Sequence, residues 1–373
     1  MTKKDKLLYA LTPDIDGVLI TSELNQYYLT GFSFTDGYVL VTREKSYVIT
    51  DFRYIEAAET QVGKEFELCM PDDMRLEIKA LLCENGVKKL YFEDNTLSFA
   101  DHLHFSELFE GVEMIKGGSK IIEDLREHKD EDELRTMARA QEITDAAFAH
   151  ILNFITPEMT ELEVALELEF FMRSQGAQSA AFDTIAVSGK SSSLPHGVPA
   201  AKKLEKGFFT MDFGARLDGY CSDMTRTIVL GKADDEMKKL YNTVLSAQLK
   251  GIEMINQGES CCNVDRAARD IIENAGYKGC FGHGLGHGVG MFIHESPRLS
   301  PKVDPGKKLE TGHVVTCEPG IYIAGKYGCR IEDMLAVTEN GTINFTKSPK
   351  ELIELFRGES EQYASDALNN RKS

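Results

Sequence analysis

The sequence predicts a protein of mixed α and β structure, with a small α/β domain followed by a larger α+β domain. Its length of 373 residues is enough for about two domains. Short apolar runs alternate with amphipathic segments in the N-terminal third, and a long, charged helical stretch separates them from the rest. We therefore expect domains at 1–121 and 122–357, followed by a polar C-terminal tail at 358–373.

The N-terminal domain is predicted from strands that alternate with helices. Short runs rich in β-branched and aromatic residues indicate strands at 18–20, 38–41, 46–50 and 87–92. Helical apolar spacing indicates helices at 51–60 and 74–85. Alternation of this kind is typical of a sheet with helices packed on it.

The second domain is expected to begin with helices. Residues 121–154 have the pattern of two amphipathic helices with a heavily charged outer face, and this is the expected domain boundary. Thr160 and Glu163 have the spacing of a capping box, which predicts a helix that continues to Gln175. Further helices are predicted at 234–257 and 264–275.

Composition excludes several classes of function. The chain carries 60 acidic and 42 basic residues, a formal net charge of -18, so it repels nucleic-acid phosphates. No apolar run reaches the length that a membrane helix needs, and the run Leu7–Leu11 is too short for a signal peptide. The eight cysteines form no CxxC pair, which favours reduced thiols in the cytoplasm.

A predicted hairpin brings two aspartates together. Asp218 and Gly219 lie between strand-like segments and form the dipeptide of a two-residue turn. Counting back from this turn pairs Asp223 with Gly214, so Asp223 and Asp212 lie diagonally on one face. Two carboxylates that converge there repel each other unless a cation lies between them. Two surface aspartates near a turn remain the alternative.

A glycine-rich segment carries candidate histidines. Every second residue from Gly282 to Gly290 is glycine, which disfavours a helix, and the spacing does not fit a dinucleotide-binding loop. An extended segment is expected, with the glycines allowing close backbone approach on one face. His283, Leu285 and His287 would share the other face, and a third histidine follows at His294.

Two glutamates stand in apolar strand patterns. Glu318 ends the run Val314–Cys317, and Glu332 interrupts a later apolar run. A glutamate in such a setting is costly unless it is paired or binds a metal. The long connection between the two runs leaves their register open. With the aspartates and His287, they make an oxygen-rich donor set that suits two divalent ions, Mn²⁺ first, with Co²⁺ or Zn²⁺ as alternatives.

These motifs resemble a known family. DxG with YxxDxTRT, then HGxGHGxG, EPGIYI and RIED, are similar to the motifs of the pita-bread metallopeptidases, in the branch of Xaa-Pro aminopeptidases and Xaa-Pro dipeptidases (prolidases). The segments NQYYLTGF and DFRY resemble the creatinase-like N-terminal domain of that branch. The resemblance extends to about Phe356 and implies a pita-bread catalytic domain.

The resemblance also implies roles for individual residues. Asp212 would bind one metal ion, His287 and Glu318 the other, and Asp223 and Glu332 would bridge the two. Glu318 would accept a proton from a metal-bridging water that attacks the Xaa-Pro bond. Arg330 would hold one of the bridging carboxylates in place. The remaining implied site residues are the substrate-pocket histidines His196, His283 and His294, and Arg298 as a contact for a substrate carboxylate.

Several functions stay open at this point. The compact N-terminal domain favours an Xaa-Pro aminopeptidase acting on proline-containing peptides, and an Xaa-Pro dipeptidase is the alternative. A homodimer is expected from the resemblance alone. A non-hydrolytic binding protein of the same fold, a creatinase-like hydrolase and a methionine aminopeptidase are disfavoured, because all five ligands and an extra N-terminal domain are present.

Overall fold

The computed structural model describes residues 1–356 and divides the chain into two compact units, Met1–Arg126 and Glu127 onward. Both units mix helices and strands, as predicted. The boundary expected between residues 121 and 122 stays a prediction, and the expected tail at 358–373 lies outside the described residues. No helix within residues 1–356 has both the length and the apolar character needed to cross a membrane.

The first unit is built on one six-stranded sheet with the order β4-β3-β2-β1-β5-β6. Strand β1 pairs antiparallel with β2 and parallel with β5, and its residues are all buried. The helices are α1 (Lys3–Ala10), α2 (Glu23–Thr30), α3 (Ile55–Gln61), α4 (Met74–Glu84), α5 (Phe99–Leu108) and α6 (Gly118–Glu127). The strands are β1 (Gly17–Ile20), β2 (Gly37–Thr42), β3 (Ser46–Thr50), β4 (Glu67–Cys69), β5 (Lys89–Phe92) and β6 (Glu113–Lys116).

A buried carboxylate stabilises this unit near the end of β5. Glu93 is fully buried and accepts hydrogen bonds from the backbone and hydroxyl groups of Thr21 and Ser22 and from the Asn25 amide. Arg126 in turn donates to the Asn25 side chain. A carboxylate is tolerated in this position because its lone pairs are satisfied by several donors.

Within residues 127–356, the second unit contains four α-helices and four sheets. The helices are α7 (Glu131–Phe154), α8 (Glu161–Ser174), α9 (Asp235–Met254) and α10 (Cys261–Ile272). The predicted capping box at Thr160 and Glu163 is confirmed at the start of α8. Apolar residues of α7 and α8 pack in one core cluster with a central sheet, and residues of α9 and α10 pack in a second.

The sheets of this unit have mixed topology. Their orders are β11-β10-β7, β20-β12-β9-β8, β14-β13-β15-β18-β19 and β16-β17. The first eight strands are β7 (Ser179–Ala180), β8 (Ile185–Ser188), β9 (Gly207–Phe213), β10 (Ala215–Leu217), β11 (Tyr220–Cys221), β12 (Met224–Leu230), β13 (Gly286–Gly288) and β14 (Glu295–Leu299). The remaining strands are β15 (Val314–Cys317), β16 (Gly320–Ile323), β17 (Tyr327–Arg330), β18 (Asp333–Thr338), β19 (Gly341–Asn344) and β20 (Glu354–Leu355).

Several elements were not predicted from the sequence. Helices α1, α2 and α5 and strands β4 and β6 are short, and their apolar periodicity covers only one or two turns. The predicted helix at 51–60 begins later, at Ile55, because the chain forms turns between Asp51 and Tyr54. All eight cysteines lie within the described residues and none forms a disulfide.

Candidate metal centre and active site

The predicted hairpin is present with the predicted register. Asp218 and Gly219 both have positive φ, as a type I′ turn requires, and Leu217 pairs with Tyr220. The same register continues into strands β9 and β12, where Asp212 pairs with Thr225. Gly214 is required here, since a Cβ on it would lie 1.9 Å from the carbonyl oxygen of Ser222.

All ten predicted site residues line one cavity of about 850 Å³ in the second unit. Five of them are the predicted metal ligands Asp212, Asp223, His287, Glu318 and Glu332. The other five are His196, His283, His294, Arg298 and Arg330. Residues that are distant in sequence therefore meet in a space of the size that binds small ligands.

The two glutamates meet through long-range strand pairing. Strands β15 and β18 are antiparallel, with Cys317 opposite Asp333. Glu318 directly follows β15 and Glu332 directly precedes β18, so the same pairing sets the two carboxylates side by side. The hairpin β16–β17 is inserted between them and has its own register.

His287 presents a lone pair to the carboxylates of buried Asp223 and partly buried Glu318. Its Nδ1 lies 3.0 Å from the carbonyl oxygen of Gly288, which can only accept, so Nδ1 carries the proton. Nε2 is then unprotonated and lies 3.6 Å from Asp223 Oδ2 and 3.5 Å from Glu318 Oε1. Burial lowers the pKa of His287 to about 3, which keeps the ring neutral.

The acidic side chains around this nitrogen are held in an unfavourable environment. Burial, followed by the charges of neighbouring carboxylates, raises the pKa values of Asp223 and Glu332 well above their usual range. Burial raises the pKa of Glu318 to about 8, although Arg330 opposes the shift. Single ligand atoms of Asp223, His287 and Glu332 all lie within 4.8 Å of one another.

The donor set fits divalent cations. Asp212 Oδ1 is buried and has no hydrogen-bond partner among the described residues. A bound cation would stabilise all three features: a buried oxygen without a hydrogen-bond partner, an unprotonated imidazole nitrogen that faces carboxylates, and buried carboxylates in their charged form. Oxygen-rich ligation with one imidazole matches the preferences of ions such as Mn²⁺.

Arg330 orients the carboxylates of the site through several hydrogen bonds. It forms a 2.6 Å ion pair with Asp212 Oδ2 and donates to the Thr225 hydroxyl at 3.0 Å. Thr225 donates in turn to Glu332 Oε2 at 2.6 Å. The resemblance implied that Arg330 holds a bridging carboxylate, Asp223 or Glu332. In the structure its direct ion pair is with Asp212, and it reaches Glu332 only through the hydroxyl of Thr225.

Tyr322 connects Arg330 to His283 and was given no role in the sequence analysis. Arg330 donates to the Tyr322 hydroxyl at 2.8 Å, and that hydroxyl lies 3.1 Å from His283 Nε2. Because His283 Nδ1 lies 2.8 Å from the Gly284 carbonyl oxygen, Nδ1 donates and Nε2 accepts from Tyr322. Tyr322 stands in the EPGIYI motif, but nothing in that motif indicates that its hydroxyl reaches His283.

The glycine-rich segment departs from the predicted alternation at Leu285. His283 and His287 line the cavity, but Leu285 packs in the hydrophobic core of the second unit. Only Gly286–Gly288 forms a strand, and its pairing with β14 shifts register between His287 and Gly288. The close approach predicted for the glycines is confirmed at Gly286, where a Cβ would lie 2.0 Å from the carbonyl oxygen of Thr316.

The remaining predicted residues lie at the accessible part of the cavity. His196, His294 and Arg298 are all solvent-exposed and line the cavity. The His294 ring contacts the His287 ring edge to face, with centroids 4.5 Å apart. Their exposure allows them to contact a molecule that enters the cavity.

Comparison with known proteins identifies the family. The family description "Metallopeptidase family M24" matches residues 135–339, which contain every residue of the site. The chain belongs to metallopeptidase family M24. The description "Creatinase/Prolidase N-terminal domain" matches residues 9–128. The predicted fold class, a creatinase-like α/β domain followed by a pita-bread catalytic domain, is thereby confirmed.

Relatives in this family carry two kinds of name. The chain is 37% identical to a Xaa-Pro dipeptidase of Pyrococcus horikoshii over 91% of its own length and 95% of the relative. It resembles the structure of a Xaa-Pro dipeptidase from Bacillus anthracis with 44% identity and a TM-score of 0.90, covering 95% of this chain and 99% of that one. It also resembles an X-Pro aminopeptidase structure from Thermotoga maritima, with 33% identity, a TM-score of 0.86 and coverage of 91% and 98%.

Proposed function

We propose that the chain is an exopeptidase that uses two divalent metal ions to hydrolyse the bond between an N-terminal residue and a following proline. The observation that carries the proposal is the position of His287 Nε2, unprotonated and facing carboxylate oxygens of Asp223 and Glu318 at 3.6 and 3.5 Å. Asp212 and Glu332 complete the set of ligands that would hold the ions.

Two divalent ions bound there, Mn²⁺ first among the candidates, would supply Lewis acidity for the peptide carbonyl and lower the pKa of water. The chain's own residues manage the protons. Glu318 accepts the proton of the attacking water and transfers it to the proline nitrogen as the carbon–nitrogen bond breaks. Glu318 is placed for this task because its Oε1 lies 3.5 Å from His287 Nε2, beside the other proposed ligands.

The histidines of the cavity would have different tasks. His196 and His294 line the accessible part of the cavity and would donate hydrogen bonds to the substrate and to the oxyanion that develops during attack. Both ring nitrogens of His283 are engaged within the protein, with Gly284 and Tyr322. We therefore propose that His283 shapes the substrate pocket and orients the scissile peptide without a direct hydrogen bond.

The choice between aminopeptidase and dipeptidase depends on what lies beyond the proline. The compact N-terminal domain supports an Xaa-Pro aminopeptidase, which is the function proposed first. Arg298 favours the dipeptidase as the second candidate, because an exposed guanidinium at the cavity can pair with the free carboxylate of a dipeptide. Relatives named Xaa-Pro dipeptidase at 37% and 44% identity favour the same candidate.

The test compares Ala-Pro, Ala-Pro-Ala and Ala-Ala-Ala as substrates of protein loaded with Mn²⁺ or treated with EDTA. Release of alanine from the two proline peptides, and loss of activity with EDTA, is the expected result. An aminopeptidase prefers Ala-Pro-Ala, and a dipeptidase prefers Ala-Pro. In a dipeptidase, Arg298→Gln raises KM for Ala-Pro and leaves Ala-Pro-Ala unaffected.

Other outcomes would contradict the proposal. Absence of proline-peptide hydrolysis in protein that binds two equivalents of metal would indicate a non-hydrolytic binding protein. Hydrolysis of creatine would indicate a creatinase-like enzyme, and preference for a methionyl peptide without proline would indicate a methionine aminopeptidase. The proposed homodimer is tested separately by light scattering of the purified chain.

A further inference from the structure

A buried ion pair joins the segment before α7 to the strand that follows His294. Lys129 Nζ lies 3.1 Å from Glu295 Oε2, and the two side chains are 1% and 7% exposed. The lysine backbone is also fixed, because its N–H donates to the carbonyl oxygen of Gly312 at 2.9 Å. Both charges are thus enclosed by protein.

The Glu295 carboxylate supports the turn that carries His294. Its Oε1 accepts the N–H of Phe292 at 2.9 Å. On the other side it lies against Gly290, where a Cβ would be 2.3 Å from Oε2. The carboxylate therefore lies inside the turn 290–295 and supports its backbone, together with hydrogen bonds that the Gly290 and Met291 carbonyl oxygens accept from Cys221 and Arg216.

The position of His294 depends on this turn. His294 is the residue immediately before Glu295, and its ring packs edge to face on His287. The pairing of β13 with β14 shifts register beside it, between His287 and Gly288, so regular strand geometry does not hold the turn. Its position then relies on side-chain contacts such as those made by Glu295.

We infer that Lys129 is a positioning residue for His294 and acts through the Glu295 carboxylate. This inference rests on the proposed function, because it gives His294 a task in hydrolysis. The lysine touches neither the cavity nor the five metal ligands. Lys129 places a positive charge 3.1 Å from the buried Glu295 carboxylate, and a buried carboxylate that loses such a partner is destabilised in its position.

The test uses Lys129→Met, with Lys129→Arg as the conservative variant and Lys307→Met as the matched control. Lys307 forms an ion pair with the buried carboxylate of Glu127, two residues from Lys129, and is therefore a second lysine paired with a buried acid in the same region. On the Xaa-Pro substrate that the wild type cleaves best, we expect Lys129→Met to lower kcat about tenfold with metal content unchanged. Lys129→Arg and Lys307→Met should stay within about twofold of the wild type.

A double-mutant cycle separates positioning from general stability. If Lys129 acts through His294, then Lys129→Met lowers kcat by less than about twofold in a His294→Ala background. A full tenfold loss in that background, or an equal loss in Lys307→Met, would overturn the inference. If Lys129→Met does not fold, Glu295→Gln replaces it in the same cycle, because the amide retains an acceptor for the Phe292 N–H.

Hydrogen exchange in metal-free protein gives a readout that does not need activity. The Phe292 amide should exchange about tenfold faster in Lys129→Met than in the wild type, and at the wild-type rate in Lys307→Met. Unchanged exchange at Phe292 would refute the inference whatever the substrate is. A wild-type protein without activity on proline peptides would refute the proposed function, and the exchange result would still decide the role of Lys129 in holding the turn.

Discussion

Repulsion between Asp223 and Glu332 makes the stability of the metal-free protein depend on pH. Ligand atoms of the two carboxylates lie within 4.8 Å of each other, and both side chains are buried. If both ionise, Coulomb's law at an effective dielectric constant of about 20 gives a repulsion of about 3 kcal/mol. Burial and then the charge of Glu332 raise the pKa of Asp223 well above its usual value. Burial and then the charges of Glu318 and Asp212 raise the pKa of Glu332 in the same direction.

The sign of the pH dependence follows from the raised pKa values. The folded protein binds these protons more tightly than the unfolded chain does. The contribution of Glu332 to stability is therefore fully present below its ordinary pKa of 4.5 and is lost as pH rises through the folded value. A metal ion that replaces the protons removes this loss.

The variant Glu332→Gln tests this pH dependence, because it removes one negative charge and keeps the shape of the side chain. The amide oxygen can still accept the hydrogen bond that Thr225 now donates to Glu332. In EDTA at pH 8 we expect the variant to unfold at a Tm higher than the wild type by roughly 6 °C, because a repulsion of about 3 kcal/mol shifts the Tm of a unit of this size by about 2 °C per kcal/mol. At pH 5, where the carboxyl groups hold protons, the difference should nearly disappear.

Addition of Mn²⁺ should reverse the order of stability. Metal at about 100 times its dissociation constant stabilises the wild type by about 2.7 kcal/mol, whereas the variant lacks one proposed ligand. Differential scanning calorimetry at pH 5 and 8, with EDTA and with Mn²⁺, measures all four conditions. Glu339→Gln is the control, because Glu339 is exposed at the turn after β18.

One result would refute this reasoning. If Glu332→Gln in EDTA at pH 8 unfolds at or below the wild-type Tm, while Glu339→Gln behaves as the wild type, the two carboxylates do not repel each other in the folded protein. A cation would then not be needed to hold the two carboxylates together.

Three further variants test the framework of the site. Gly286→Ala should lower Tm strongly and impair metal binding, because the new Cβ would lie 2.0 Å from the Thr316 carbonyl oxygen. Gly282→Ala is the control and should unfold as the wild type does, because nothing lies within 4 Å of its Cβ. Arg330→Lys should weaken metal binding about 10–100-fold in calorimetric titration, because lysine lacks the planar guanidinium group that contacts both Asp212 and Thr225. A metal affinity equal to that of the wild type would contradict this role of Arg330. Tyr322→Phe should lower kcat about tenfold without changing Tm by more than about 2 °C, because it removes the hydroxyl that orients His283; unchanged kcat would show that this hydrogen bond has no part in hydrolysis.

Local patterns in the sequence were sufficient for part of the site. The Asp218–Gly219 turn sets the register of its own hairpin, so the pairing of Asp212 with Thr225 could be counted from the turn and is confirmed. The glycine pattern correctly indicated a close backbone approach. It did not indicate that Leu285 would turn into the core, because that depends on the apolar residues packed against it.

Other contacts could not be derived from any single segment. Tyr322 and Thr225 both stand in recognised motifs, but their hydroxyl groups acquire partners only when strands from different parts of the chain come together. The same holds for Lys129, which is separated from Glu295 by 166 residues and looks like one of many surface lysines in the sequence.

The sequence by itself determined the mixed α/β class, the family and the approach of Asp212 to Asp223, because short-range periodicity and a two-residue turn control these features. Tertiary structure alone decided that Glu318 lies beside Glu332. Their strands, β15 and β18, pair across an inserted hairpin, and no local turn sets the register of that pairing. The burial that raises the pKa values of these carboxyl groups likewise arises only when both core clusters have formed.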